Sequence, residues 1–97
     1  MSSPIVFRPI AKTEMDESIA WYENQRENLG VEFGVECHRT LHNISQSPNQ
    51  FPIIRGAVRR ALLRRFPYGI HYTNEDARVV VLAVFHVKHN PRLLEDR

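Results

Sequence analysis

The sequence has little that would suit an oxidising compartment or a membrane. It contains a single cysteine, Cys37, in 97 residues, so no disulfide can form within the chain. We therefore expect a reducing, cytoplasmic setting. The N-terminus lacks the apolar segment of a secretory signal peptide, and none is expected. No window approaches the roughly 20 apolar residues that span a bilayer, so we expect no membrane partner.

Neither sign of charge dominates, but the two halves of the chain differ. The formal net charge is +2. Residues 1–50 carry four basic and seven acidic side chains, whereas residues 51–97 carry nine basic and four acidic ones. This asymmetry indicates either a basic face that meets an acidic partner or arginines that pair with helix glutamates. The length predicts one domain, residues 1–97.

Apolar periodicity predicts an α+β fold in the order β-α-α-β-β-β. Two amphipathic helices joined by a short link form a helical hairpin, which must bury its apolar stripe on the sheet. Three later strands form an antiparallel meander whose last, wholly apolar strand is the most central, and the first strand pairs at its edge. The expected ranges are 5–7, 58–66, 68–72 and 79–85 for the strands, and 11–28 and 31–46 for the helices.

Several local features follow from residue type. Thr13 and Asp16 resemble a capping box at the start of the first helix. Gly30 is placed as the residue just past that helix, and Gly34 is where the two helices approach closely. Residues 74–76 are expected to form the last turn. The core should include Phe33, Leu41, Ile44, Val81 and Ala83.

Histidines and the cysteine are the candidates for chemistry outside the arginines. His38 and His42 stand four residues apart on one helix face, which is metal-ligand spacing, although a solvated face explains them more simply. Cys37 lies on the apolar stripe and is interpreted as a small core residue. His86 and His89 close the last strand and are suitable as acid and base, although a histidine that bonds a backbone carbonyl at a strand end explains His86 more simply. We expect no cofactor and no metal.

Three stretches carry a family resemblance. They are Trp21 to Arg26 followed by Leu29-Gly30-x-x-Phe33; Phe51-Pro52 followed by Arg59-Arg60-Ala-Leu-Leu-Arg64-Arg65-Phe-Pro-Tyr68; and Val84-Phe85-His86 with Pro91. Together they resemble the RelE/ParE superfamily of toxins from bacterial type II toxin–antitoxin modules, closest to the ParE-like, plasmid-stabilisation branch. The resemblance implies a cytoplasmic toxin held inactive in a hetero-oligomer with its antitoxin.

The resemblance leaves three functions open. A ParE-like toxin inhibits DNA gyrase by binding and is not an enzyme, and this is the function that we expect. A RelE-like toxin cleaves mRNA on the ribosome, and Arg60, Arg65, His86 and His89 would then be catalytic. That branch usually has a tyrosine or histidine near the C-terminus, and no tyrosine follows His86 in this chain. A non-toxic member would only bind an antitoxin. Candidate contacts to target or antitoxin are Arg59, Arg60, Arg64, Arg65, Lys88, Arg92 and Trp21.

Overall fold

The computed structural model describes residues 2–89, 91–95 and 97. Within them, two helices pack on one face of a five-stranded sheet. No helix among these residues is long and apolar enough to cross a membrane. The elements in chain order are β1 Ile5–Phe7, α1 Pro9–Gln25, α2 Leu29–Gln46, β2 Ile53–Arg55, β3 Val58–Leu62, β4 Tyr68–Glu75, β5 Arg78–His86 and a 3₁₀ turn Pro91–Leu94.

The sheet has the order β1-β5-β4-β3-β2. The predicted α+β fold, with its helical hairpin on the sheet and β1 at an edge, is confirmed. Three details differ: β1 runs parallel to β5, so the sheet is mixed; β2 adds a fifth strand beside β3; and β4, not β5, is the middle strand. Three-residue β2 is too short for a period-two pattern to show in the sequence.

The hydrophobic core lies between the hairpin and the sheet. Every residue predicted to be buried is buried: Phe33, Leu41, Ile44, Val81 and Ala83. All seven apolar residues of 79–85 are buried, which confirms that β5 is covered on both faces. Cys37 is fully buried, and desolvation raises the pKa of its thiol to about 12. The cysteine is therefore a core residue, as interpreted.

The link between the helices differs from the expectation. Gly30 lies inside α2, and it is the position where the helices approach closely, because a Cβ there would stand 2.4 Å from the Ile19 carbonyl oxygen. At Gly34 a Cβ would meet only the Ile19 side chain at 3.7 Å. Asn28, at φ 69°, supplies the left-handed turn instead. The Glu23 carboxylate accepts the N–H groups of Asn28 and Gly30 at 2.8 and 2.9 Å, which caps α2.

The start of α1 and the β4–β5 turn also differ from the predictions. Helix α1 begins at Pro9 without a side-chain cap, so the capping box at Thr13 and Asp16 is wrong; Asp16 pairs with Lys12 at 2.7 Å instead. Proline at the first helical position needs no N–H partner, which lets the helix start early. The β4–β5 turn lies one residue later than predicted, at Asp76 and Ala77, both with positive φ.

Candidate functional site

Cationic and imidazole side chains collect at one end of the sheet, where β3 and β5 end and β4 begins. The loop of residues 63–67 follows β3, and the Val87 N–H donates to the Pro67 carbonyl at 2.9 Å, which joins this loop to the segment after β5. We call the loop the arginine loop. The basic end comprises Arg64, Arg65, His86, Lys88 and His89.

A buried carboxylate holds the arginine loop in place. The predicted strand 58–66 ends at Leu62, because the next backbone groups turn toward helix α2. Glu36, only 3% exposed, accepts the N–H groups of Arg64 and Arg65 through Oε1 at 2.7 and 2.8 Å. Its Oε2 lies 3.6 Å from Arg39. The loop is thus tied to the helix by its backbone, which leaves the arginine side chains facing outward.

Aromatic rings fix the same loop to both helices. Tyr22, Phe33, Phe66 and Tyr68 form a cluster with ring centroids 4.9 to 5.8 Å apart. Burial, followed by nearby Tyr68, raises the pKa of Tyr22. Trp21 stands edge-on to Tyr22 at 5.0 Å and is 56% exposed. Trp21 is therefore an exposed aromatic on the helix that supports the basic end.

The arginines of this region differ in how far they are already engaged. Arg65 donates to Glu32 Oε1 at 2.5 Å, and this bond, followed by that from Arg26, lowers the pKa of Glu32. Arg65 therefore pairs with a helix glutamate, which is one of the two arrangements that the charge asymmetry of the sequence indicates. The side chains of Arg64 and Lys88 are exposed and have no hydrogen bond or ion pair within the described part of the chain. These two charges are available to a partner.

Arg59 and Arg60 lie further along β3 and are half-buried. Arg59 donates to the Phe51 carbonyl at 2.7 Å, which holds the strand to the preceding loop. Arg60 faces His71 across β3 and β4 on the sheet surface away from the helices, and its Nε has no hydrogen-bond partner. The structure does not bring either arginine side chain to the exposed surface of the basic end.

His71 is a buried histidine that sequence reasoning missed. It is 3% exposed and its Nδ1 has no hydrogen-bond partner. Burial, followed by the guanidinium of Arg60, lowers the pKa of His71 to about 4. Its ring packs on Phe85 at 4.6 Å. At neutral pH His71 is therefore an uncharged packing residue. The period-two pattern of Tyr68, Ile70 and Tyr72 places His71 on the other face of β4, so no local pattern predicts its burial.

The two terminal histidines share one shallow hollow. His86, Lys88 and His89 line a space of about 210 Å³. His86 Nδ1 accepts the Lys88 N–H at 3.0 Å, and the ring stands edge-on to Tyr68 at 5.6 Å. His89 stacks on Phe85 at 5.0 Å. One nitrogen of His86 is thus committed to the turn, and the His89 ring is held by stacking.

A second feature missed by the sequence covers the outer edge of β5. Strand β1 pairs only with residues 79–81, so the edge continues unpaired. Glu14 accepts the Val84 N–H at 3.1 Å and binds Arg97 at 2.8 and 2.9 Å, while Arg97 donates to the Leu82 carbonyl at 3.3 Å. Arg92 lies nearby in sequence, exposed in the 3₁₀ turn. Glu14 and Arg97 are 83 residues apart, so no local sequence pattern predicts this ion pair.

The basic end offers charge and hydrogen-bond donors, and Trp21 on α1 adds an exposed aromatic ring. These groups are suited to binding an anionic surface. The described residues contain no group of three or more histidine, cysteine, aspartate or glutamate residues placed to hold a metal ion.

A scan of protein-family models and a search of curated proteins both give no match.

Solved structures do resemble the fold. A chain of the chromosomal ParDE toxin–antitoxin system from P. aeruginosa superposes with a TM-score of 0.77 at 15% identity, covering 88% of this chain and 96% of that one. A chain of the toxin–antitoxin complex RelBE2 from Mycobacterium tuberculosis gives a TM-score of 0.61 at 17% identity, covering 89% of this chain and 99% of that one. This chain therefore shares its fold with both toxin–antitoxin chains, and the TM-score is higher for the ParDE chain.

Proposed function

We propose that this protein is the toxin of a bacterial type II toxin–antitoxin module, of the ParE-like kind, and that it acts in the cytoplasm as a single domain by binding and inhibiting DNA gyrase. The superposition on the ParDE chain, with a TM-score of 0.77 over 88% of this chain, is the observation that carries the proposal. The resemblance of the Arg59–Tyr68 stretch to ParE-like toxins supports the same branch.

Inhibition by binding, without turnover, fits the groups at the basic end. A general base needs a free lone pair on the nitrogen that reaches the reacting atom. A neutral imidazole that accepts through Nδ1 carries its proton on Nε2, so His86, whose Nδ1 accepts a backbone N–H, is poorly arranged as a base. The side chains of Arg64 and Lys88, in contrast, are exposed and unengaged within the described residues. Their charges suit contacts with an anionic protein surface and need no proton transfer.

The partner proposed for the basic end is an acidic, amphipathic segment of the antitoxin. Arg64→Glu with Lys88→Glu should weaken antitoxin binding at least tenfold at low salt, and the difference from the native protein should narrow as salt screens the charges. Arg78→Glu is the matched control, because Arg78 is exposed at the opposite, β4–β5 turn end of the sheet. If the double variant binds the antitoxin with unchanged affinity, the antitoxin does not dock on Arg64 and Lys88. Trp21 would then be the next contact residue to test. Reversal of Arg59 is a poorer test, because Arg59 holds the Phe51 carbonyl.

The target is tested by comparing two double variants for toxicity on induction. Arg64→Ala with Lys88→Ala should relieve growth arrest, because it removes contacts. His86→Gln with His89→Gln should leave most of the toxicity, because no proton moves. A general acid or base that is replaced typically costs about 10²–10⁴-fold in rate, so loss of all toxicity in the histidine variant, with folding and antitoxin binding intact, contradicts inhibition by binding alone.

A ribosome-dependent mRNA endonuclease is the second candidate, since His86, Lys88 and His89 line one hollow. In that function the histidines transfer protons and Arg65, which lies at the basic end, stabilises the charged transition state. Arg60, the other arginine predicted for this role, is half-buried further along β3. Cleavage of mRNA by the purified protein on ribosomes, lost in the histidine double variant, would establish it. A chain that binds its antitoxin but arrests neither DNA nor protein synthesis would be the non-toxic member.

A further inference from the structure

The outward face of α2 carries a histidine pair that the proposed function does not use. His38 and His42 are both exposed, and neither has a hydrogen bond, ion pair or ring contact in the described part of the chain. Residues four apart on a helix lie on the same face, with Cβ atoms about 5–6 Å apart. The two imidazoles can therefore turn their nitrogens toward one point in solvent.

We propose that His38 and His42 form a two-ligand site for a divalent transition-metal ion of the zinc type, with the remaining coordination positions open to water. Zinc binds imidazole nitrogen at about 2.0–2.1 Å in a tetrahedral arrangement, and imidazole suits zinc, copper and nickel in preference to magnesium or calcium. Ligation requires no rearrangement of the backbone, because both side chains already leave the same side of α2.

The helix that carries this pair is firmly held, so the backbone positions of the two ligands are fixed. The core-facing side of α2 is packed through Phe33, Leu41 and Ile44, and its first turn is capped by Glu23. Metal binding therefore orders the two imidazole side chains but costs little backbone freedom.

The surroundings set the strength of the site. No third histidine, cysteine or carboxylate joins the pair among the described residues. The nearest cation in sequence, Arg39, lies 3.6 Å from the buried Glu36 carboxylate, which offsets part of its repulsion of a metal ion. A site with two protein ligands and open coordination positions binds a metal ion that exchanges readily, whereas structural zinc is held by four protein ligands.

The other three of the five histidines are less available. His71 is buried. His86 uses Nδ1 in the turn, and His89 is stacked on Phe85. The pair on α2 is therefore the place where added zinc should bind first.

The test is calorimetric titration of ZnCl₂ into the untagged full chain. We expect one zinc per chain. The matched control exchanges two neighbours, His42→Asn with Asn43→His, which keeps the composition but turns the second imidazole to about 140° from the first, as helix geometry dictates. Binding should weaken about tenfold or more in this variant, since even the loss of a supporting partner of a metal ligand costs about 10–100-fold.

His38→Ala should weaken zinc binding by a similar factor, and His86→Gln with His89→Gln should leave it unchanged. All positions changed are exposed or half-exposed, and a native urea midpoint without zinc checks folding. If the exchanged variant does not fold, the His38→Ala result decides. Equal zinc affinity in the native chain and in either α2 variant would overturn the proposal, as would no binding to the native chain or loss of binding in the His86 and His89 variant.

Discussion

Glu36→Ala tests how the arginine loop is held. The substitution removes the acceptor of the Arg64 and Arg65 N–H groups, which stand 2.7 and 2.8 Å from Oε1. A hydrogen bond to a charged group contributes about 1.5–3 kcal/mol. Because the loop is at the surface and water can reach part of it after the change, we take the lower end for each bond. The expected loss is about 3–4 kcal/mol, a large share of the roughly 5–15 kcal/mol that stabilises a small domain.

Glu36→Gln separates the charge from the hydrogen bonds. The amide oxygen can take the place of Oε1 and accept both N–H groups, and bonds between neutral groups contribute about 0.5–1.5 kcal/mol each. We expect a loss of about 1–2 kcal/mol. Arg39→Ala removes the exposed partner of Oε2 and should cost at most about 1 kcal/mol, as surface ion pairs do.

Urea denaturation followed by circular dichroism measures the three variants against the native protein. We expect the Glu36→Ala variant to be the least stable and the stability of the Glu36→Gln variant to lie between it and that of the native chain. If glutamine costs as much as alanine, or if alanine costs less than about 1 kcal/mol, then Glu36 does not hold the arginine loop through these two bonds.

Three further outcomes follow from the backbone and the core. Gly30→Ala should destabilise the fold markedly, because its Cβ would lie 2.4 Å from the Ile19 carbonyl oxygen, whereas Gly34→Ala has room and should be neutral or stabilising; thermal unfolding compares them. Ala77→Gly should raise stability by about 0.5–1 kcal/mol in urea, because Ala77 holds a φ of 61°. The pKa of His71 is about 4 in the folded protein and about 6.5 in the unfolded chain. The free energy of unfolding should therefore be unaffected by His71 above about pH 6.5. It should fall by up to about 3 kcal/mol as the pH falls toward 4, because only the unfolded state then binds the proton. NMR titration of the ring and the pH dependence of unfolding in His71→Gln check this.

The fold could be predicted because its large elements have strong periodic signals. The α2 stripe that includes Phe33, Leu41 and Ile44, and the seven apolar residues of β5, require a buried helix and a buried strand whatever surrounds them. Short elements carry no such signal. Strand β2 has only three residues, too few for a period-two pattern, and it pairs with β3 across the two-residue turn of Gly56 and Ala57.

The local errors share a physical cause. The sequence predicts that Gly30 lies just past a helix, because glycine tolerates positive φ, but Asn28 takes that conformation and Gly30 is needed for close packing. Both uses of glycine give the same sequence signal. Arg64 and Arg65 fit an alternating strand, yet a buried glutamate 28 and 29 residues earlier draws their backbone into a loop.

The candidate site was predictable in composition and not in arrangement. The sequence indicates that arginines and histidines matter, but the roles of Arg59 in holding a carbonyl and of Arg65 in pairing with Glu32 depend on which groups the fold brings near. Arg97 and His71 could not be singled out, because their partners are distant in sequence.

Inhibition of DNA gyrase is tested most directly by measuring DNA synthesis and protein synthesis in parallel during the first minutes after induction. We expect thymidine incorporation to fall first while amino-acid incorporation continues. Arg64→Ala with Lys88→Ala should abolish the fall, and co-expression of the antitoxin should prevent it. An early stop in amino-acid incorporation with DNA synthesis continuing, abolished by His86→Gln with His89→Gln, would show that the protein acts on translation instead.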